Sequence, residues 1–190
     1  MPMQDKVQQL LELSHQCGVC QKCALAQTRT HAVFGKGNPD ARLMFVGEAP
    51  GEKEDLSGLP FVGAAGKLLD QYLQTIGLET KDVYIANILK CRPPKNRDPL
   101  PQEEDACIDY LWQQIDIIKP RLLVCLGRIA AMRLIKADFK ITAEHGEWFE
   151  THGTPIMAVY HPAALLRDPR KKQDMLCDFE KIEKALNNLQ

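Results

Sequence analysis

Three cysteines fall within seven residues, CGVCQKC at 17–23, so Cys17, Cys20 and Cys23 make two overlapping C-x-x-C pairs. Two more, Cys91 and Cys107, flank a proline-rich stretch far downstream. A local C-x-x-C pair plus two separated cysteines can deliver four thiolates to one centre, either an iron–sulfur cluster or a structural zinc. Seven cysteines in all is an odd number, which argues against a disulfide framework and towards metal binding or buried thiols. Cys125, inside an apolar run, and Cys177, in the last charged segment, read as packing residues. A thioredoxin-like redox pair is disfavoured, because this C-x-x-C follows a helical segment and not a strand.

A second group of chemistry-bearing residues sits where apolar runs end. Gly47-Glu48-Ala49-Pro50-Gly51 follows RLMFVG (42–47), Asn87 lies near the end of VYIANI (83–88), and His161-Pro162 closes EWFETHGTPIMAVY (147–160). RLLVCLG (121–127) offers only Gly127 and Arg128. The glycines of GLPFVGAAGKLL are not in phosphate-loop register, and there is no G-x-G-x-x-G.

The elements that must position these residues alternate. The runs at 42–47, 83–88 and 121–127 read as buried strands, and 147–160 as a hairpin whose second arm is a core strand. Between them, residues 4–16, 63–77 (closing on Gly77), the segment opened by Pro101, 128–135 and 170–188 have helical patterns. RPPKNRDPLP (92–101) has four prolines and must be a loop. This predicts a three-layer αβα sandwich with a central, mainly parallel four-stranded sheet, in one domain spanning 1–190. In such sheets ligands bind at the carboxyl ends of the strands, where Glu48, Asn87 and His161 converge.

Composition bounds the partners. With 190 residues, 45% hydrophobic and 26% charged, the chain can bury an ordinary core. A net charge of -1 gives no global field for nucleic acid, so any such contact needs a local basic patch. The start has no apolar h-region, and no apolar run approaches the ~18 residues of a membrane span. A cytoplasmic, membrane-free monomer is expected.

C-x-x-C near the start, GEAPGEKED, PFVGAAG, YIANILKCRPP, the downstream cysteine and HPAALLR together make the chain similar to the iron–sulfur uracil-DNA glycosylases, the family-four branch of that superfamily. The match runs from Cys20 to about Phe179, and its force lies in the order and spacing of the motifs. The resemblance implies a 4Fe–4S cluster held by Cys20, Cys23, Cys91 and Cys107. Cys23 reaches Phe34 in the family's interval, so Cys17 is a bystander. It also implies hydrolysis of the bond between uracil and deoxyribose in DNA, with the base flipped out of the helix.

For that chemistry the resemblance assigns roles. Phe61 is the platform on which uracil stacks, with Gly47, Glu48 and Ala49 beside it. Asn87 reads the base, and His161 donates to O2 of the leaving anion. Glu48 positions water or stabilises the cationic sugar, since Ala49 cannot. Glu54 closes the side where thymine's methyl would sit. KCRPPKNR (90–97) holds four basic residues and no acid, and LLRDPRKK (165–172) adds more. Arg92, Lys95, Arg167, Arg170 and Lys171 are the expected DNA contacts, and Leu165 or Leu166 the wedge filling the gap left by the flipped base. Three rivals remain at this stage: a metal-stapled nucleotide- or uracil-DNA-binding module without turnover, an enzyme on mononucleotides or another damaged base, and the related branch that traps uracil-DNA through a histidine in an R-R-I-H insert. The sequence has no such insert, and Cys91 stands where that branch usually has histidine.

Overall fold

A computed structural model describes residues 3–189; the expected domain, 1–190, also takes in Met1, Pro2 and Gln190, which lie outside the described residues. The apolar runs form strands whose two faces are both covered. Every residue of β2 (Leu43–Gly47) and β4 (Leu122–Leu126) is buried. Alternation assigns Met44 and Val46 to one core and Leu43 and Phe45 to the other, as the two-residue period of a strand requires. Helices α1 (Met3–Gly18), α4 (Pro101–Ile118) and α5 (Arg128–Leu134) close the first core. Helices α3 (Ala64–Thr75), α7 (Pro162–Arg167) and α8 (Lys172–Asn188) close the second. The three-layer αβα sandwich is thus formed, with short helices α2 (Glu52–Ser57) and α6 (Ile141–Glu144) in the connections.

The sheet has six strands where four were expected. Its order is β1-β3-β2-β4-β6-β5, with β1 at Lys36–Gly37, β3 at Tyr84–Asn87, β5 at Trp148–Thr151 and β6 at Thr154–Val159. The four expected strands, β3, β2, β4 and β6, run parallel in the centre, and β1 and β5 add antiparallel edges. β1 is two residues long and carries no apolar alternation, so only its pairing with β3 reveals it. Gly37 permits that approach: its φ is +129°, and a Cβ there would run into the Val83 carbonyl. β5 is the outer arm of the expected hairpin. His152 and Gly153 make the turn, both left-handed at φ 48° and 75°, as tight hairpin turns favour.

Strand order reverses at β2, which has β3 on one side and β4 on the other. The crevice outside the carboxyl ends at such a reversal is the binding place of open α/β sheets.

Candidate active site and cysteine centre

A cavity of about 580 Å³ opens at that reversal, within the range of small-molecule pockets. Glu48, Ala49, Glu54, Phe61, Asn87 and His161 all line it. Gly47 lies beneath, paired with Asn87 across β2 and β3. A Cβ on Gly47 would collide with Asn87 Oδ1 and stand 3.0 Å from the Phe61 ring. Glycine here lets two opposing side chains close over the strand end.

Asn87 is 2% exposed. Among the described residues its Oδ1 is the buried side-chain polar atom without a hydrogen-bond partner. An acceptor so placed incurs a desolvation cost that a ligand N–H would recover.

Phe61 has φ 52°, a left-handed conformation that costs a non-glycine residue of order 1–3 kcal/mol. Its neighbours hold it there. Lys36 Nζ donates to the Phe61 carbonyl at 3.3 Å. The Val62 and Gly63 amides donate to Glu54 Oε1 at 3.0 and 3.1 Å, which also places a carboxylate at the positive end of α3. A Cβ on Gly66 would strike the Phe61 carbonyl. Glu54 therefore lines the cavity with one oxygen engaged in holding the Phe61 loop. The Phe61 and His161 ring centroids are 5.7 Å apart at 30°.

His161 caps α7, and its Nδ1 accepts from the Ala163 amide at 3.1 Å. Burial, reinforced by the nearby Arg167 charge, holds its pKa down at about 4. The ring is neutral at physiological pH. With Nδ1 accepting, Nε2 carries the proton and is a donor. Gly127 makes room for this ring, at φ +94°, where a Cβ would come within 2.9 Å of His161 Cβ.

Glu48 follows β2, and its carbonyl accepts from Leu89 N at 3.0 Å. Burial, aided by the Asp98 charge and opposed by Arg128, raises its carboxyl pKa to about 7. It is poised to hold or accept a proton near neutrality.

The expected DNA contacts divide. Arg167 and Lys171 line the cavity, and Lys171 Nζ lies 5.4 Å above the Tyr160 ring. Leu165 is fully buried and Leu166 half exposed, so of the two only Leu166 is free to act as a wedge. Arg170 is tied to Asp168 at 2.9 Å. Arg92 Nε donates to Asn96 Oδ1 at 2.8 Å, and Lys95 is exposed at φ 56°. Arg92 also stands 4.0 Å from Glu52 Oε1, and two further basic residues in 90–97 do not face outward as free cations. Lys90 is 1% exposed, and Arg97 is bidentate to Glu103 at 2.6 and 2.9 Å. Arg128, noted in the sequence only as a strand-end residue without a role, lines the cavity too, as do Asn96, Asp98 and Tyr160, which were not foreseen. The Arg128–Asp98 pair, at 2.7 Å, joins residues thirty apart and leaves no local mark in the sequence.

All seven cysteines are free. Cys20 and Cys23 follow α1, Cys91 follows β3, and Cys107 lies in α4. Backbone or guanidinium N–H groups point at three of the four sulfurs: Lys22 N to Cys20 at 3.5 Å, Lys90 N to Cys107 at 3.3 Å, and Arg29 Nη1 to Cys91 at 3.2 Å. Such donors orient and stabilise metal-bound thiolates. Among the described residues no three His, Cys, Asp or Glu side chains converge tightly enough for one metal ion. Four thiols, three of them facing N–H donors, are an all-sulfur donor set of the kind that holds an iron–sulfur cluster or a structural zinc. Cys17 is 1% exposed in the α1 core, and burial pushes its thiol up to about 12, as suits a packed thiol. Cys125 is buried as expected. Cys177, expected to pack, is exposed, because α8 turns that position outward.

Residues 34–189 match the sequence profile of the Uracil DNA glycosylase superfamily. The chain belongs to that superfamily. Within it, the chain is 49% identical over 171 residues to a Type-4 uracil-DNA glycosylase of Archaeoglobus fulgidus, covering 86% of each chain. It is 42% identical over 183 residues to one of Thermotoga maritima, covering 94% of each. A Type-5 uracil-DNA glycosylase of Pyrobaculum aerophilum is 34% identical over 146 residues, with 68% of this chain covered. Among these three superfamily members, likeness to the Type-4 proteins is the higher and the more extensive. No helix among the described residues is long and apolar enough to cross a membrane.

Proposed function

We propose that the chain is a DNA-repair uracil-DNA glycosylase, hydrolysing the N-glycosidic bond of uracil in DNA and leaving an abasic site. The observation that carries this reading is the buried, unpartnered Oδ1 of Asn87 at the cavity. Uracil presents a donor at N3 and an acceptor at O4, matching the oxygen and the amide N–H of one asparagine. Cytosine presents the opposite pattern. Phe61 stacks on the flipped base, worth ~1–3 kcal/mol. Water attacks C1′, Glu48 as carboxylate positions it and takes its proton, and the C1′–N1 electrons leave on uracil. His161 donates Nε2–H to O2, where that charge develops; a neutral donor does this without protonating the base. Arg92, Lys95, Arg167, Arg170 and Lys171 meet phosphates, and Leu166 fills the vacated stack. A uracil-containing oligonucleotide, with its thymine counterpart as control and alkaline cleavage of abasic sites, tests the reading. Cleavage of the uracil strand alone is expected, and equal cleavage of both or of neither contradicts it.

The Glu48 carboxyl and the His161 ring set a pH profile. Glu48 works ionised, so the single-turnover rate should fall as pH drops below about 7. His161 stays neutral down to about 4 and adds no limb between pH 5 and 9. Glu48→Gln should be slow and flat over that range. A wild-type rate rising towards acid would reverse the assignment.

Cys20, Cys23, Cys91 and Cys107 would hold a 4Fe–4S cluster. When bound, it supplies a cross-link from the chain after α1 to the loop after β3 and to α4, with no electrons required of it. Anaerobically purified protein should contain iron and acid-labile sulfide at about four each per chain. Cys17→Ala should keep the colour, and Ala at any of the other four should bleach or misfold the protein. Stoichiometric zinc without sulfide, or bleaching by Cys17→Ala but not Cys23→Ala, contradicts this ligand set. The odd number of cysteines argues against a disulfide framework and suits a reducing cytoplasm, where the chain acts as a monomeric single domain.

A further inference from the structure

We infer that Lys90 is a positioning residue tying the cysteine centre to the uracil reader: its buried ammonium clamps the main-chain carbonyl of Asn87 and is itself balanced by the ligated Cys107 thiolate. The inference rests on the proposed pocket and cluster. Lys90 lies one residue before Cys91 and three after Asn87. Its side chain runs inward and is 1% exposed. Nζ donates to the Asn87 carbonyl at 2.8 Å and to Gln114 Oε1 at 2.6 Å, and lies 5.8 Å from the Phe34 ring centroid. Gln114 is fully buried and cannot turn away, because its Nε2 donates to the Phe34 carbonyl at 3.0 Å and to Tyr84 Oη at 3.3 Å.

A buried ammonium needs a counter-charge. No carboxylate forms an ion pair with it among the described residues, and the proposed ligand that touches this residue is Cys107, whose Sγ accepts from the Lys90 amide at 3.3 Å. Metal-bound thiolates carry the negative charge that free thiols lack. The segment grips the pocket from its other side as well: Ile88 N donates to the Gly47 carbonyl and Leu89 N to the Glu48 carbonyl, both at 3.0 Å. Five residues, 87–91, thus join reader, water-handling strand end and cluster ligand, with the Lys90 ammonium as internal strut. Cluster loading and uracil reading become coupled.

The test uses cluster-loaded Lys90→Met, which keeps length and removes the ammonium. Four quantities are read against wild type: single-turnover uracil excision, inhibition by free uracil, affinity for undamaged duplex, and the cluster's midpoint potential. Excision should fall about 10- to 100-fold, the loss of a charge-assisted hydrogen bond in a buried network. Inhibition by free uracil should weaken about tenfold by the same loss, while undamaged-duplex affinity is unchanged. The midpoint potential should become more negative, because a positive charge beside the cluster is gone. Wild-type excision and uracil inhibition in the loaded variant overturn the inference, as does lost excision with unaltered uracil inhibition. If Lys90→Met does not load, Gln114→Leu, which removes the second anchor, should weaken uracil inhibition in the same direction, and wild-type inhibition there overturns the inference too. A wild-type protein that holds zinc or spares uracil defeats the proposed function instead; an active, iron-loaded wild type matched by its Lys90→Met variant defeats only the strut.

Discussion

Asn87→Asp should lower single-turnover uracil excision by about 10³- to 10⁵-fold, the discrimination lost when a buried hydrogen-bonding reader no longer matches its substrate. The change keeps the shape. A carboxylate still accepts from N3–H but repels O4, and the side chain sits 2% exposed against Gly47 with nowhere to retreat. When protonated, the introduced acid can donate to N3 of cytosine and accept from its N4 amine, so weak cytosine excision favoured by acid pH is compatible with the reading. Asn87→Ala should lose uracil activity without gaining cytosine activity, because no reader remains. Rates on matched oligonucleotides carrying uracil, cytosine or thymine decide it. Near wild-type uracil excision by both variants would remove Asn87 from the reader's role and displace the pocket with it.

His161→Ala should slow the chemical step by about 10²- to 10³-fold, the cost of one oxyanion-type donor, while affinity for uracil-containing DNA changes little. The charge it meets develops only as the bond breaks, so the loss belongs to the rate and not to binding. The ring also caps α7 through Ala163, so His161→Asn, which keeps a capping acceptor, separates the two roles. That variant should retain the wild-type melting temperature and still be slow. Unchanged chemistry with weakened DNA binding in both variants would reassign His161 to a phosphate contact.

The strand ends were legible because apolar runs stop abruptly there. Glu48, Asn87 and His161 each follow or end a run buried on both faces, and parallel strands bring such ends to one rim whatever the helices do. Phe61 was legible as a motif member, but its left-handed backbone and its supports, Lys36, Glu54 and Gly66, depend on contacts between distant segments. β1 was invisible, since two residues carry no period. The basic loop was read too simply. A lysine two residues before Arg92 looks solvated in sequence, yet Lys90 turns inward, and Arg97 is neutralised by Glu103 six residues on. Local composition records how many charges a loop has; tertiary packing decides which of them meet water. Leu165 and Leu166 make the same point, since adjacent positions on a six-residue helix face opposite ways.

The central claim is that one cavity frees uracil intact from DNA, and the released base is its most direct measure. Single-turnover incubation of the iron-loaded protein with a uracil-containing oligonucleotide, followed by chromatography of the small-molecule fraction, should yield free uracil one-for-one with alkali-labile sites, and no thymine from the control strand. Strand scission without free base, or release of thymine at a comparable rate, would contradict the account.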